Sequence, residues 1–218
     1  MCHQRFLPAG GQGAKGAGIV VAKTEDLVAK ASWKAGEALP FSAVAEMFEK
    51  VEAITSRLEI QEILRSLFVT VMALTPDDLA TCVYLACNKV APAYEGVELG
   101  IGDSILMKAL EGATGSKAKD IRDAAQKHGD LGIVAQKSRS KQSTLSFGQK
   151  IKSLSAAEVL VGYRKIAKIT GGKSQDAKIM DIKKMLVRCK GIEAKYLIRG
   201  LQGKLRIGLS MQTVLISL

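Results

Sequence analysis

An all-α fold of about ten to twelve helices is predicted by three features of the sequence. Apolar side chains recur three and four residues apart along most of the chain. Runs that alternate apolar and polar are scarce, and helix-capping residues stand between the periodic runs. Leu, Ala, Lys and Glu are plentiful and prolines number only four, a composition that favours helices. Aromatic residues make up 5% of the chain, so aliphatic side chains have to fill the core.

Residues 1–31 read as a flexible leader, because five glycines fall between Gly10 and Gly18 and little there can be buried. Order is expected from the stretch 33–40 onward. Phe41, Val44, Ala45, Phe48, Val51 and Ile54 then mark one helix face. Thr55-Ser56-Arg57 breaks it, and Leu58, Ile60, Ile63, Leu64, Leu67, Phe68 and Val71 mark a second. Thr75-Pro76-Asp77-Asp78 reads as a helix start, with a capping hydroxyl, proline in the first position and early acids. Asp103 or Ser104 caps the next helix, which ends near Gly115, and Ser116 opens another. Gly129 and Gly132 mark a turn, and the basic, aperiodic residues 137–153 read as a long loop. Ser155 caps a helix that buries Val159, Leu160, Tyr163, Ile166 and Ala167. Gly171-Gly172 closes it, and Ser174 or Gln175 opens a helix with Ile179, Ile182, Met185, Leu186 and Cys189 inward. Residues 193–200 form one more, and Ser210 begins the last.

Charge is segregated along this scaffold. The net charge is +11. Residues 40–111 hold five Lys/Arg against eleven Asp/Glu, whereas residues 137–206 hold eighteen against four. A basic surface of that kind suits a polyanion, because counterion release supplies much of the affinity for phosphates. A faint repeat accompanies it. Leu99-Gly100-Ile101-Gly102-Asp103-Ser104 and Leu205-Arg206-Ile207-Gly208-Leu209-Ser210 share the pattern L-x-I-G-x-S, each between a turn and a helix start. Two such turns on one face could grip both strands of a duplex.

Catalytic motifs are missing. The sequence has no KxDG lysine for nucleotidyl transfer, no Walker A, no HExxH and no GxSxG. Its four cysteines form no CxxC and its two histidines are far apart, so neither a zinc site nor a disulfide framework is suggested. No apolar run is long enough to span a membrane. The strongest candidate site is Gly203-Lys204-Leu205-Arg206-Ile207-Gly208-Leu209. There glycines permit a tight turn, Leu205 can anchor inward, and Lys204 and Arg206 can meet phosphate oxygens. A solvated helix–helix turn would have the same composition. Ser56 and Arg57 could hold a phosphate at a helix N-terminus, or serve only as a cap and a surface arginine. Ser138 and Arg139 repeat that chemistry on the expected loop. Trp33, Phe41, Phe48 and Tyr163 are assigned to the core, which leaves few stacking partners for single strands and favours a duplex.

Five stretches taken together resemble the N-terminal DNA-binding domain of eukaryotic ATP-dependent DNA ligases of the DNA ligase I class. They are SWKAGEALPFSAVAEMFEKVEAITSRLE (32–59), ALTPDDLATCVYLACNKVAP (73–92), ELGIGDSILMKAL (98–110), GDLGIVAQKSRSKQ (129–142) and EAKYLIRGLQGKLRIGLSMQTVL (193–215). The resemblance covers residues 32–218, with 1–31 as leader. It implies an all-helical domain in two pseudo-symmetric halves that binds duplex DNA, nicked in the working substrate, across the minor groove by backbone contacts. By the matching motifs, Arg57 and Gly203-Lys204-Leu205-Arg206 are the foremost phosphate contacts, with Ser56, Ser138, Arg139 and Gly208 beside them. It also implies that the adenylated lysine and the oligonucleotide-binding fold lie outside this chain. ATP and magnesium would act there, no cofactor is expected here, and the chain should not ligate alone. A monomeric nuclear protein of DNA replication, repair and recombination is expected, working with the remaining ligase domains. The competing expectation is a basic helical scaffold that binds an acidic protein and no DNA.

Overall fold

The computed structural model describes residues 22–143 and 152–218. Among them are eleven α-helices and no strand. In order they are α1 (Thr24–Ala29), α2 (Phe41–Glu52), α3 (Arg57–Leu74), α4 (Leu79–Ala86), α5 (Asp103–Thr114), α6 (Ala118–His128), α7 (Leu131–Ser143), α8 (Ala156–Lys168), α9 (Ser174–Arg188), α10 (Ile192–Leu201) and α11 (Met211–Ile216). Packing sorts them into two groups. One holds α1 to α4 with α8 and α11, and the other holds α5, α6, α7, α9 and α10. The groups meet where α10 packs on α2 and α8 on α9. Each group is therefore discontinuous in sequence.

The periodic face of α2 explains its place. Phe41, Val44, Ala45, Phe48 and Val51 are all buried, as the spacing requires. Its N-terminus is tied to that of α8 by two backbone bonds, Phe41 N–H to Leu154 O at 3.0 Å and Ala156 N–H to Leu39 O at 2.8 Å. Ser155 closes a full capping box on α8, receiving Glu158 N–H while the Glu158 carboxylate accepts Ser155 N–H. Ser155→Ala should therefore cost about 0.5–2 kcal/mol in chemical denaturation, and no loss would show that the two backbone bonds suffice to start α8.

Several expected boundaries move. The leader ends earlier than residue 31, because α1 forms and packs on α3; residues 1–21 lie outside the described residues. Thr75 does not cap its helix through its side chain. The chain instead makes a 3-10 turn, Pro76–Asp78, and the Thr75 hydroxyl faces Trp33 Nε1 at 3.4 Å. Asp78 accepts Leu39 N–H at 2.8 Å, so this acid serves a distant segment. The loop expected over 137–153 is also corrected. Residues 137–143 continue α7, whose Leu131, Val134 and Ala135 are buried, while 144–151 lie outside the described residues. The polar composition of 137–143 hid a helix that is anchored by its first two turns.

The middle of the molecule is α10, buried from Glu193 through Leu201. Glycines let its neighbours come close. Gly132, expected in a turn, instead lies in α7, where a Cβ would sit 2.8 Å from Lys195 O. At Gly200 a Cβ would overlap the Tyr163 hydroxyl, which is buried and donates to Leu197 O at 3.0 Å. Gly200→Ala should therefore lower stability by about 1–3 kcal/mol, read as the midpoint of urea unfolding. An unchanged midpoint would mean that Tyr163 can swing aside. Cys82 and Cys189 are buried and Cys87 half-buried, all as free thiols. Burial, with Asp78 nearby, pushes Cys82 up to about 12, so it is an unreactive core residue. None of the described helices is long and apolar enough to cross a membrane.

Candidate nucleic-acid interface

The first L-x-I-G-x-S segment packs against residues 201–203, the turn that leads into the second. Ile101 N–H donates to Leu201 O at 2.8 Å, and Gln202 Nε2 donates to Asp103 Oδ1 at 2.8 Å. Gly203 is required twice over in the second turn. Its φ is +75°, and a Cβ would lie 2.8 Å from Leu99 O. From this footing residues 204–208 alternate between solvent and core, with Leu205 and Ile207 inward. Lys204 is exposed, Leu205 is buried as an anchor, and Arg206 is exposed with φ +58°. Arg206 Nη1 donates to Gly129 O at 3.0 Å, which ties this turn to the end of α6. Gly208 has φ +68° and leads to Ser210, whose hydroxyl caps α11 by accepting Thr213 N–H at 3.1 Å.

The second basic turn is 55–57. Ser56 is the N-cap residue of α3, but its hydroxyl does not cap the helix, and Arg57 is the first helical residue. Both are exposed, and among the described residues neither Arg57 nor Lys204 has an ion-pair partner. An exposed helix start with an uncommitted hydroxyl and an arginine is well suited to a phosphate.

One buried side chain stands behind both turns. Arg199 of α10 is 2% exposed. Its Nη1 and Nη2 reach the two Glu52 oxygens at 2.7 and 3.1 Å, and its Nε and Nη2 reach Asp130 Oδ2 at 2.9 and 2.7 Å. Nη1 also donates to Leu205 O at 3.2 Å. Glu52 ends α2 just before the 55–57 turn, and Leu205 is the anchor of the 203–208 turn. Lys195 joins from the preceding turn of α10, with Glu49 at 2.8 Å and Glu52 at 2.9 Å. Tyr196 donates its hydroxyl to the same two carboxylates at 2.8 and 2.7 Å. Asp130 Oδ1 accepts Gly132 N–H at 2.7 Å. The buried charges of Arg199, Lys195 and Asp130 are thus paired and hydrogen-bonded, as burial demands, while Glu49 and Glu52 keep part of their surface in solvent. Glu49 and Glu52, which precede Arg57 in sequence, are neutralised by cations of α10.

Burial alone would raise the pKa of Glu52, but hydrogen bonds from Arg199, Tyr196 and Lys195 outweigh it and lower it to about 2. Asp130 is also lowered. Burial opposes this, but the Arg199 bond and charge, Gly132 N–H and the charge of Arg206 prevail. A lowered carboxylate stabilises the fold above its unfolded-state value and loses that contribution as pH falls through the folded value. Thermal stability should therefore decline as pH drops from about 4.5 toward about 2. Glu52→Gln should flatten that decline, and an identical acid profile would place the titration elsewhere.

Ser138 and Arg139 lie apart from this network. Ser138 is half-buried on α7 and lines a cleft with Thr114, Lys117 and His128. Arg139 holds the end of α9, donating to Val187 O at 2.7 Å and Cys189 O at 3.2 Å. Its place on a helix, committed to those carbonyls, replaces the flexible loop expected for it.

A family model described as DNA ligase N terminus matches residues 40–218. The chain belongs to that family. It is 44% identical over 188 residues to DNA ligase 1 of Dictyostelium discoideum, covering 86% of this chain and 16% of that protein. It is 45% identical over 181 residues to DNA ligase 1 of Saccharomyces cerevisiae, covering 83% and 24%. DNA ligase 2 of the archaeon Thermofilum pendens is 34% identical over 182 residues, covering 81% and 30%. The chain thus spans less than a third of each of these ligases. As a DNA ligase N-terminal domain it is all-helical, and both basic turns fall within the matched region. The residues that the sequence did not disclose are Glu49, Glu52, Asp130, Lys195, Tyr196 and Arg199. Their one local sign is spacing, since Lys195 and Arg199 stand four apart among the apolar residues of a helix whose other charge is Glu193.

Proposed function

We propose that this chain binds duplex DNA, nicked in its working substrate, as the DNA-binding part of an ATP-dependent DNA ligase in nuclear replication, repair and recombination. Arg57, Lys204 and Arg206 contact phosphates across the minor groove, assisted by Ser56 and the backbone amides of the glycine turn. The observation that carries this reading is the convergence of two exposed basic turns on one buried arginine, in a chain of net charge +11. Contacts of this kind position a protein on a duplex without reading its sequence. Nucleotidyl transfer needs a lysine nucleophile of the KxDG kind, which this sequence lacks. ATP and magnesium are accordingly assigned to other parts of the longer ligases, and DNA binding by this chain should require neither.

Binding of the purified chain to nicked and intact duplexes of several sequences, across a salt series, tests the reading. Affinity should fall linearly on a log–log plot, with a slope near −0.9 for each phosphate neutralised, and should ignore sequence. A folded chain that binds no duplex at low salt would overturn it. The apolar groove of about 500 Å³ beside α11, lined by Val83, Tyr84, Met211 and Leu215, favours a protein-binding scaffold as the second reading.

A further inference from the structure

We infer that Arg199 is a positioning residue for DNA binding: it fixes the spacing and orientation of the 55–57 and 203–208 turns, so that both meet one duplex as a single preorganised surface. The inference rests on the proposal that these turns contact phosphates, and adds how they are kept in register.

The geometry supports it. The two turns are about 150 residues apart in sequence and belong to segments with no local tie. Arg199 gives one guanidinium edge to Glu52, which closes α2, and an Nη1 hydrogen to the Leu205 carbonyl, inside the glycine turn. Its Nε fixes Asp130 at the start of α7, next to Gly129, whose carbonyl takes Arg206. Three segments around the interface are therefore oriented by one planar fork. Arginine is needed for this, because a lysine carries a single point of donation and cannot hold two carboxylates and a carbonyl in fixed directions. Arg199 is 2% exposed, so it does not reach DNA itself. Preorganisation of this kind lowers the ordering cost of binding.

The test uses the whole chain with Arg199→Lys, which keeps the charge, Arg199→Gln, which removes it, and Glu52→Gln, which weakens the arm toward α3 together with the Lys195 and Tyr196 bonds to Glu52. Each variant is first checked for folding by thermal unfolding. Affinity for a nicked duplex should fall on the order of tenfold in Arg199→Lys, while the salt slope stays as in the parent. In Arg199→Gln, which removes the charge, a direct phosphate contact would make the slope shallower by about one, and that result would overturn the positioning role. So would a folded Arg199→Lys chain that binds with parent affinity. Amide hydrogen exchange gives a readout without DNA. Protection should drop at the bonded amides flanking both turns, Ile54 and Ile60 for one and Gly203 and Lys204 for the other, in Arg199→Lys, and at Ile54 and Ile60 alone in Glu52→Gln. Unchanged exchange at either turn in Arg199→Lys overturns the inference. Failure of the parent chain to bind duplex strikes the proposed function instead, while the exchange arm still judges the coupling.

Discussion

Arg199→Ala is expected to destabilise the chain by about 3–5 kcal/mol, the usual cost of removing one partner from a buried charge network. The loss has two parts. Glu52 and Asp130 would remain close together with their shared cation gone, and the Leu205 carbonyl would lose its Nη1 donor. The guanidinium also packs beside the Tyr196 ring at 5.5 Å, within a helix that is buried on every side. Urea unfolding at neutral pH reads the effect, with Arg206→Ala as the exposed comparison. The penalty should shrink as pH falls from about 4.5 toward about 2, because protonated carboxyls no longer need the arginine. A loss below about 1 kcal/mol would show that water or Lys195 can replace the guanidinium.

Charge reversal at both Lys204 and Arg206 carries the second large effect. Affinity for duplex DNA should fall on the order of 10- to 100-fold at moderate salt, alike for every sequence, with a salt slope shallower by about two. The two positions separate by their roles in the fold. Lys204 is exposed, and Lys204→Glu should change stability by less than about 0.5 kcal/mol. Arg206 also donates to Gly129 O, so Arg206→Glu alone should loosen the end of α6 as well. Normal binding by the folded double variant would remove the glycine turn from the interface.

The helices were legible because their apolar faces are periodic. Residues 41–51 and 159–166 repeat at helical spacing, and those faces are the buried ones. Capping chemistry was legible where a side chain acts on its own helix, as at Ser155 and Ser210. It failed at Thr75, whose hydroxyl turns to Trp33 and leaves the cap unmade. The 137–143 helix was missed because polar residues report only the exposed side of a helix whose hold lies further back. The two basic turns could be found from glycine, lysine and arginine in sequence. The network behind them could not, because Glu52, Asp130 and Arg199 are brought together only by the fold. Glu49 and Glu52 contributed to a tally of surface acid, although their charge is answered by α10.

The long reach of that network sets a timetable for synthesis. Glu52 and Arg199 are separated by 147 residues, and α11 closes on α3 and α4 only after the ten helices before it have been made. At about 5–20 residues per second, a nascent chain would hold α2 without its α10 partner for roughly 10–30 s. Through that interval Phe48 and Val51 lack the helix that covers them, and ribosome-bound chains ending before residue 190 should be the species that chaperones hold and proteases cut.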